Sequence, residues 1–201
     1  MELLNMASLL LGSGWSSGVN LYLTVAGLGI AQRMDWITLP GNMDTISHPL
    51  VIFIALALYA IEFLADKIPY VDSVWDSFHT FIRPVGGAVL GYLAMGDVSP
   101  AIQFPAALLT GSISLDSHLT KATSRVAINT SPEPITNSVA SVTEDAAVVG
   151  VLYLIIKHPV ITCIVVIAFI VFSIWFLKKM FKFLKAVLTR KKLQEIEAES
   201  V

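Results

Sequence analysis

Two long stretches of this 201-residue chain carry no charged residue, namely residues 3–32 and residues 159–177. A helix rises about 1.5 Å per residue, so about 20 apolar residues are enough to cross the hydrocarbon core of a bilayer. Fifty-five per cent of the residues are hydrophobic and 14% are charged, and the mean hydropathy is +0.74, which is too apolar for an ordinary soluble domain. We therefore expect an all-α fold, specifically a polytopic transmembrane helical bundle.

Proline and glycine residues divide the chain into about six apolar segments. Both residue types end helices, because proline lacks a backbone donor and glycine is too flexible. Elements three and five are short for a full crossing, so tilted or re-entrant placement is an alternative for them. We expect one integral membrane domain over residues 1–185 and a charged cytoplasmic tail over residues 186–201. The expected elements cover residues 3–31, 49–68, 78–96, 100–127, 138–157 and 159–185.

The basic residues are distributed unevenly along the chain. Seven of the 13 lie between Lys178 and Lys192. Loops rich in lysine and arginine stay on the cytoplasmic side of a membrane, so this region is expected there. Six crossings then return the amino terminus to the same side. The sequence predicts a multi-pass membrane protein with both termini in the cytoplasm.

Two Gly-Ser pairs inside apolar segments indicate an internal repeat. One segment begins at Gly12 and the other at Gly111, and polar side chains follow both at helical spacing. If both pairs break a helix, the halves 1–98 and 99–185 have opposite orientations, which is the inverted-repeat plan of many secondary transporters. A rival similarity pairs the segments that begin with His-Pro, in which case the related helices run the same way. Both alternatives stay open.

Polar side chains within the apolar segments point to a functional site, because a charge in lipid is costly unless it faces a cavity or a partner. The two Gly-Ser segments would line a substrate- or ion-binding site near the bilayer midplane. Lys121 and Arg125 would attract an anion or neutralise Asp116, or alternatively would only flank the cytoplasmic helix end. The candidate binding residues are Ser13, Ser16, Asn20, Ser112, Asp116, His118, Lys121 and Arg125.

Four acidic residues form a second group of candidates. Glu62 and Asp66 lie one helical turn apart, and Glu144 and Asp145 are adjacent in element five. Neighbouring carboxylates suit proton or cation coupling, because each changes the proton affinity of the other. They are equally suited to ion pairing between helices.

The segment before element three has the pattern of an amphipathic helix. Asp72, Asp76, His79 and Arg83 recur at helical spacing, and aromatic and aliphatic residues lie on the opposite face. This pattern predicts a helix that lies in the membrane interface, with its polar face toward the headgroups.

Several functional classes have no support in the sequence. There is no phosphate-binding loop, dinucleotide fingerprint, nucleophile elbow or HExxH motif, and the histidines lack diagnostic metal-ligand spacing. We therefore expect no enzymatic activity, no cofactor, no metal site and no nucleic-acid partner. The first hypothesis is a transporter or channel for a small polar or ionic solute. The alternatives are lipid translocation or headgroup binding, and a structural or partner-binding membrane protein; a homo-oligomer is compatible with each.

Two blocks of the sequence resemble a known family. "EFLADKIPYVDSVWDSFHTFIRPVGGAVLG" (62–91) and "NTSPEPITNSVASVTEDAAVVG" (129–150) are similar to the bacterial membrane family called the domain of unknown function numbered four thousand one hundred twenty-six. The resemblance extends over about residues 9–160. It implies a small polytopic protein of a bacterial inner membrane. It implies no substrate and no residue roles.

Overall fold

The computed structural model of the protein describes residues 2–68, 70–129 and 134–199, and side chains are described for 3–129 and 135–183 of these. Within these ranges the chain forms seven α-helices and one short 3-10 helix, without β-strands. The all-α class is therefore confirmed. The α-helices are α1 (Glu2–Val19), α2 (Leu21–Arg33), α3 (Pro49–Ala65), α4 (Val71–Met95), α5 (Pro100–Ile128), α6 (Pro134–Lys157) and α7 (Pro159–Glu199), and the 3-10 helix covers Met43–Ser47.

The first apolar element is broken at Asn20. This residue has an extended backbone (φ −151°, ψ 100°), and its side chain accepts a hydrogen bond from the backbone N–H of Leu23, so it caps α2. An asparagine oxygen satisfies an otherwise unpaired donor in the first turn of a helix, which stabilises the start of α2 at this position.

The helices α1 and α2 form a hairpin whose tip is Asn20. Gly12 in α1 and Gly27 in α2 both face the last turns of α6, because a Cβ atom would contact Ile155 at the first and Leu152 at the second. Asn5 and Ile37, near the open ends of the two arms, line one groove together with Ile155. Both arms therefore open at one end of the bundle, which we call the entry end. The first expected element, residues 3–31, is therefore broken, as the transporter hypothesis requires, and the break lies at Asn20. Because the chain turns back there, this element does not run once from one end of the bundle to the other.

The five later helices run alternately between the entry end and the opposite end, which we call the α3–α4 end. Asn42 follows the hairpin, and its backbone N–H donates to the carbonyl of Leu93 at 2.8 Å. This hydrogen bond places the carboxyl-terminal end of α4 at the entry end. Thr162 at the start of α7 lies beside Gly12, so α7 leaves from the entry end. The first turns of α1 and the far part of α7 consequently lie at opposite ends, contrary to the expectation of both termini on one side.

Three expected element boundaries also change. The interfacial segment and element three form the single helix α4, which passes through Pro84. The predicted break at Gly111 and Ser112 is absent, because α5 continues from Pro100 to Ile128. The tail expected over residues 186–201 continues α7 as helix through Glu199, and residues 200–201 lie outside the described residues.

An apolar core fills the bundle near the entry end. It joins the second arm of the hairpin, the 3-10 helix and the last turns of α4. Leu28 and Met43 are completely buried, and Leu90 and Ala94 are 2% exposed. These side chains belong to one contiguous cluster, so the entry-end half is held together mainly by hydrophobic packing.

The outer surface of the bundle is also apolar. On α4, Phe78, Phe81 and Val85 are 67%, 78% and 63% exposed. Two described helical segments, Ile135–Lys157 and Pro159–Phe183, are long and apolar enough to cross a membrane, and α3 is apolar but shorter. These helices suggest that the protein associates with a membrane.

Candidate functional site: a buried charge cluster at the hairpin tip

Seven charged side chains meet between the hairpin tip and the α3–α4 end. We call them the central cluster. They come from four different helices, and all but one are almost fully buried. Seven ion pairs with N···O distances of 2.7–3.7 Å connect them within the described part of the chain. The members are Glu62, Asp66, Asp76, Arg83, Lys121, Arg125 and Glu144.

Arg83 lies in the middle of α4 and is completely buried. Its Nη2 atom is 2.8 Å from Glu62 Oε1 and 3.3 Å from Asp76 Oδ1. Its Nη1 atom donates to the carbonyl of Gly18 at 3.0 Å and faces His118 Nδ1 at 2.9 Å. One guanidinium group therefore joins α3, α4 and α5 to the first arm of the hairpin.

Lys121 is the second cation, and it shares one carboxylate, Glu62, with Arg83. Its Nζ atom is 2.9 Å from Asp66 Oδ2, 3.5 Å from Glu144 Oε2 and 3.7 Å from Glu62 Oε1. It also donates to the carbonyl of Val19 at 3.3 Å. Lys121 thus has carboxylate neighbours on two helices as well as a contact with the hairpin.

Arg125 pairs with Glu144 through two hydrogen bonds, from Nε at 3.1 Å and from Nη2 at 2.7 Å. Such a bidentate arrangement is strong and directional. Arg125 Nη1 donates to the backbone carbonyls of Asp66 and Asn137, at 3.2 and 3.1 Å. The guanidinium group therefore fixes the start of α6 against the end of α3.

The break in the hairpin supplies the backbone acceptors of this site. Helix carbonyls in a last turn lack partners within the helix. Here the carbonyls of Gly18 and Val19 accept from Arg83 and Lys121 respectively. One turn earlier, the carbonyl of Trp15 accepts from the Ser117 hydroxyl. Positive groups near a helix carboxyl end also interact favourably with its dipole.

The packing at the tip depends on Gly18. A Cβ atom at this position would collide with the Ser117 hydroxyl and with the backbone carbonyl of Ser114. Only glycine permits this approach of α1 to α5. The close contact brings the Gly18 carbonyl within reach of Arg83.

Hydrogen bonding identifies the form of His118. Arg83 is always a donor, so His118 Nδ1 accepts from it. The Thr80 hydroxyl donates to the Asp76 carbonyl at 3.0 Å, so its oxygen is free to accept from His118 Nε2–H, also at 3.0 Å. His118 is therefore a neutral imidazole in this arrangement.

His79 occupies the same face of α4. Its Nδ1 atom is 2.8 Å from the carbonyl of Trp75, so this nitrogen carries a hydrogen, and Nε2 is 3.0 Å from the Tyr22 hydroxyl. The Trp75 and His79 rings are stacked with centroids 4.7 Å apart. These contacts connect the second arm of the hairpin to α4 next to the central cluster.

Polar contacts continue beyond the cluster on both sides. Asp145 accepts from Asn20 Nδ2 and from the Tyr59 hydroxyl, each at 3.0 Å, so it is attached to the hairpin tip itself. Toward the α3–α4 end, Asn129 Nδ2 donates to both carboxylate oxygens of Asp72 at 2.9 and 3.0 Å. A polar interior therefore extends from the tip to the end of α5.

A lateral cavity of about 210 Å³ reaches the cluster at Lys121 and Glu144. It lies between α1, α5, α6 and α7, and the hydroxyls of Ser117, Thr120 and Ser124 contribute to its wall. Glu144 is the cluster member whose side chain is partly exposed, at 20%. The cavity therefore gives a small ligand access to one carboxylate and one ammonium group.

Several buried polar atoms of the cluster have no hydrogen-bond partner among the described residues. They are Glu62 Oε2, Asp66 Oδ1, both carboxylate oxygens of Asp76, and Arg83 Nε. Buried polar groups in proteins are normally satisfied, so unpaired ones indicate a bound water, proton or ion, or a functional constraint.

The structure brings together many of the candidates that the sequence indicated. Asn20 forms the tip, and Ser16 and Ser13 are buried in α1, about one and two turns before it respectively. His118, Lys121 and Arg125 belong to the site, as do the acidic residues of α3 and α6. These acidic residues are Glu62, Asp66, Glu144 and Asp145.

Two candidates lie elsewhere. Ser112 is exposed on α5, and Asp116 accepts a hydrogen bond from Ser173 of α7 at 2.5 Å. The expectation that Lys121 or Arg125 neutralises Asp116 is wrong, because these cations bind the carboxylates of α3 and α6.

The interfacial-helix interpretation is also wrong. Asp72, Asp76, His79 and Arg83 are at most 3% exposed, whereas the apolar face of α4 points outward. The amphipathic pattern was correct, but its polar face points toward the bundle interior.

Sequence reasoning missed the uncharged members of the site. Tyr22, Tyr59, Thr80 and Ser114 each bond to a cluster residue or to one of its direct neighbours, but single hydroxyls in apolar helices carry no recognisable spacing. Asn129 and Asn137, which bond to each other, were weakly indicated by the sequence. Both lie near predicted helix boundaries, where asparagine side chains often cap a helix.

A family model matches most of the chain. The family is described as "Domain of unknown function (DUF4126)", and the match covers residues 7–179. The chain belongs to this family. The match is longer than the 9–160 expected from the two sequence blocks, and it contains the hairpin from residue 7 onward and the whole central cluster. No curated protein and no solved structure matches the chain.

Proposed function

We propose that this protein is a polytopic membrane transporter or channel for a small cationic solute or proton. The observation that carries the proposal is the meeting of a helix break with a buried charge cluster in the middle of the bundle. The carbonyls of Gly18 and Val19 contact Arg83 and Lys121 there. Transporters commonly place broken helices and their free backbone groups at the substrate site.

The distribution of polar and apolar surface supports a membrane location. Residues such as Phe78 and Phe81 point outward, while the ionisable face of the same helix points inward. Irregular backbone is tolerated at membrane depth only where protein or a cavity surrounds it, which fits the enclosed tip at Asn20. The proposed arrangement has five crossing helices, α3 to α7, and one re-entrant hairpin.

Charge distribution favours one orientation. Lys178, Lys179 and Lys182 lie on the part of α7 that approaches the α3–α4 end, and Lys67 lies in the α3–α4 connection. The positive-inside rule places that end in the cytoplasm. The entry end, with the open side of the hairpin, would then face away from the cytoplasm.

The charge of the cluster favours a cation or proton over an anion. It contains four carboxylates and three basic groups, and each basic group is already within 3.3 Å of at least one carboxylate. An anion would have to displace those carboxylates, whereas a cation or proton would reduce their excess charge. The sequence-based idea that Lys121 and Arg125 attract an anion is therefore the weaker form of the hypothesis.

Reconstitution into liposomes tests this function directly. Purified protein would be exposed to gradients of protons, sodium, potassium and chloride, and we expect flux of a cation or proton. Glu144→Gln, which removes the charge at the cavity, should abolish most of that flux. Asp97→Asn, at an exposed position after α4, is the matched control and should leave it unchanged. Folded wild-type protein that moves none of these ions would refute the proposal.

A structural role is the second candidate, and it is favoured by the pairing of every basic group of the cluster with at least one carboxylate. Seven ion pairs and several backbone contacts could serve only to hold four helices, α3 to α6, around the hairpin. In that case Glu144→Gln would lower stability without any flux to lose. Lipid translocation is less favoured, because the cations that would bind a phosphate headgroup are engaged; scrambling of labelled lipid in the same liposomes tests it.

A further inference from the structure

We propose that Glu62 and Asp76 together bind one proton, held against Arg83, and that this pair is the protonation site of the transporter. The inference deepens the proposed function, because it names the bound species and its site. It arises from assigning each basic group of the central cluster to its carboxylate partners.

Two of the three basic groups are committed to Asp66 and Glu144. Arg125 makes the bidentate pair with Glu144 and is 3.5 Å from Asp66, and Lys121 is 2.9 Å from Asp66 and 3.5 Å from Glu144. These four groups form a compact set with two positive and two negative charges. They balance one another.

The third basic group faces two carboxylates at once. A single Arg83 nitrogen, Nη2, is 2.8 Å from Glu62 and 3.3 Å from Asp76. The side chains of Glu62 and Asp76 are 0% and 4% exposed, so water screens them little. Two like charges that share one cation in a buried site repel each other, and one proton removes the excess charge.

Unpaired oxygens identify where the proton can reside. Glu62 Oε2 and both oxygens of Asp76 are buried without a hydrogen-bond partner among the described residues. A protonated carboxyl group is a donor, so it can use an atom that an ionised carboxylate leaves unsatisfied. The positive charge of Arg83 beside the pair disfavours a metal cation in the same place.

The groups around the pair come from every neighbouring helix. Asp66 directly follows α3, His79 is on α4, Lys121 on α5 and Tyr22 on α2, and Glu144 on α6 reaches Lys121. His118 is neutral, because it accepts from Arg83. None of these adds a positive charge to the pair except Lys121, which lies at 3.7 Å from Glu62 and is shared with Asp66 and Glu144.

Infrared spectroscopy of the full-length protein in lipid nanodiscs at neutral pH tests the inference. We expect a protonated-carboxyl stretching band in the wild type. Either Glu62→Gln or Asp76→Asn should abolish that same band, because each variant leaves Arg83 with one carboxylate. Loss of one band in both single variants is the signature of a shared proton.

Asp116→Asn and Asp97→Asn are the controls. Asp116 is a separate carboxyl group beside Ser173, so its variant should leave the shared band intact and would identify any band of its own. Melting temperature would show that Glu62→Gln and Asp76→Asn remain folded. A wild type without such a band, or a band that survives in either pair variant, would overturn the inference.

Replacing sodium in the buffer with a large organic cation separates a proton from a metal ion. The band should be the same in both buffers. A band that is absent in sodium and present without it would mean that the pair binds sodium, which contradicts the proton assignment. If the band behaves as expected but liposomes show no flux, the proton site stands and the transport function fails. If liposomes show flux but the spectrum lacks the band, the transport function stands and the proton site fails.

Discussion

The two halves of the bundle are held together by different forces. Near the entry end, Leu28, Met43 and Leu90 pack in an apolar core. Near the α3–α4 end, charged side chains such as Arg83 and Arg125 fill the interior instead. The hairpin reaches from the first half to the boundary of the second, where its tip is capped by Asn20.

This difference predicts which half tolerates substitution of its interior residues and which half does not. An apolar core needs only suitable volumes, so its residues can be replaced by others of similar size at modest cost. A buried charge cluster gains little net stability over an apolar equivalent, yet the removal of one partner is severe. We therefore expect the charged half to be functionally constrained and the apolar half to be constrained by packing alone. Four substitutions test this contrast.

The largest effect is expected from Arg83→Gln. The change leaves Glu62 and Asp76 without their shared cation and removes the donor to the Gly18 carbonyl. Breaking a buried pair costs about 3–5 kcal/mol, so the free energy of unfolding should fall by about that amount. Chemical denaturation in detergent would measure it. Arg33→Gln, at an exposed arginine, should change it little; equal effects would contradict the contrast.

A large loss of stability is also expected from Leu28→Ala in the apolar half. Leu28 is completely buried, and truncation of such a leucine costs about 2–5 kcal/mol because a cavity remains. The ion flux per folded molecule in liposomes should nevertheless stay near the wild-type value. Loss of flux in a fully folded sample would show that the two halves are coupled.

A smaller effect is expected from Gly18→Ala at the hairpin tip. The added methyl group collides with Ser117 and with the Ser114 carbonyl, and overpacking typically costs about 1–3 kcal/mol. The displaced tip should also lose flux, since Gly18 and Val19 supply the carbonyls that meet the cluster. Gly150→Ala is the matched control, because a methyl group there meets nothing within 4 Å.

The smallest effect is expected from Ser173→Ala, which removes the hydrogen bond to Asp116 between α7 and α5. A hydrogen bond to a charged group contributes about 1.5–3 kcal/mol, and a neutral one about 1 kcal/mol. Asp116 is partly exposed, so we expect the lower value in a thermal or denaturant melt. A change in the flux attributed to the central cluster would contradict the separation of Asp116 from that site.

Much of the fold could be predicted from the sequence, because hydropathy and breakers identify helices directly. The polar face of α4 was visible as Asp72, Asp76, His79 and Arg83 at helical spacing. Its direction was not, because an amphipathic helix can face headgroups or other helices with the same pattern. Burial of this face depends on partners that are distant in the chain, such as Glu62 and His118, which are 21 and 35 residues from Arg83.

The hairpin could not be read from the sequence either. Residues 3–32 are uncharged and long enough to cross a bilayer, so length and hydropathy both favoured one span. The break at Asn20 depends on acceptors and donors supplied by α4, α5 and α6. The break predicted at Gly111 is absent, because α5 is one continuous helix that packs closely against α1 and α4.

The hairpin places a requirement on the order of biosynthesis in the proposed membrane arrangement. The arms α1 and α2 are synthesised first, but the carbonyls at their tip are satisfied by Arg83 and Lys121, which are made about 65 and 100 residues later. The tip therefore cannot occupy its final depth in lipid while the nascent chain holds only its first arms. We expect α1 and α2 to wait at the membrane surface until α4 and α5 have been inserted, so truncation before Lys121 should leave the amino-terminal segment accessible to protease.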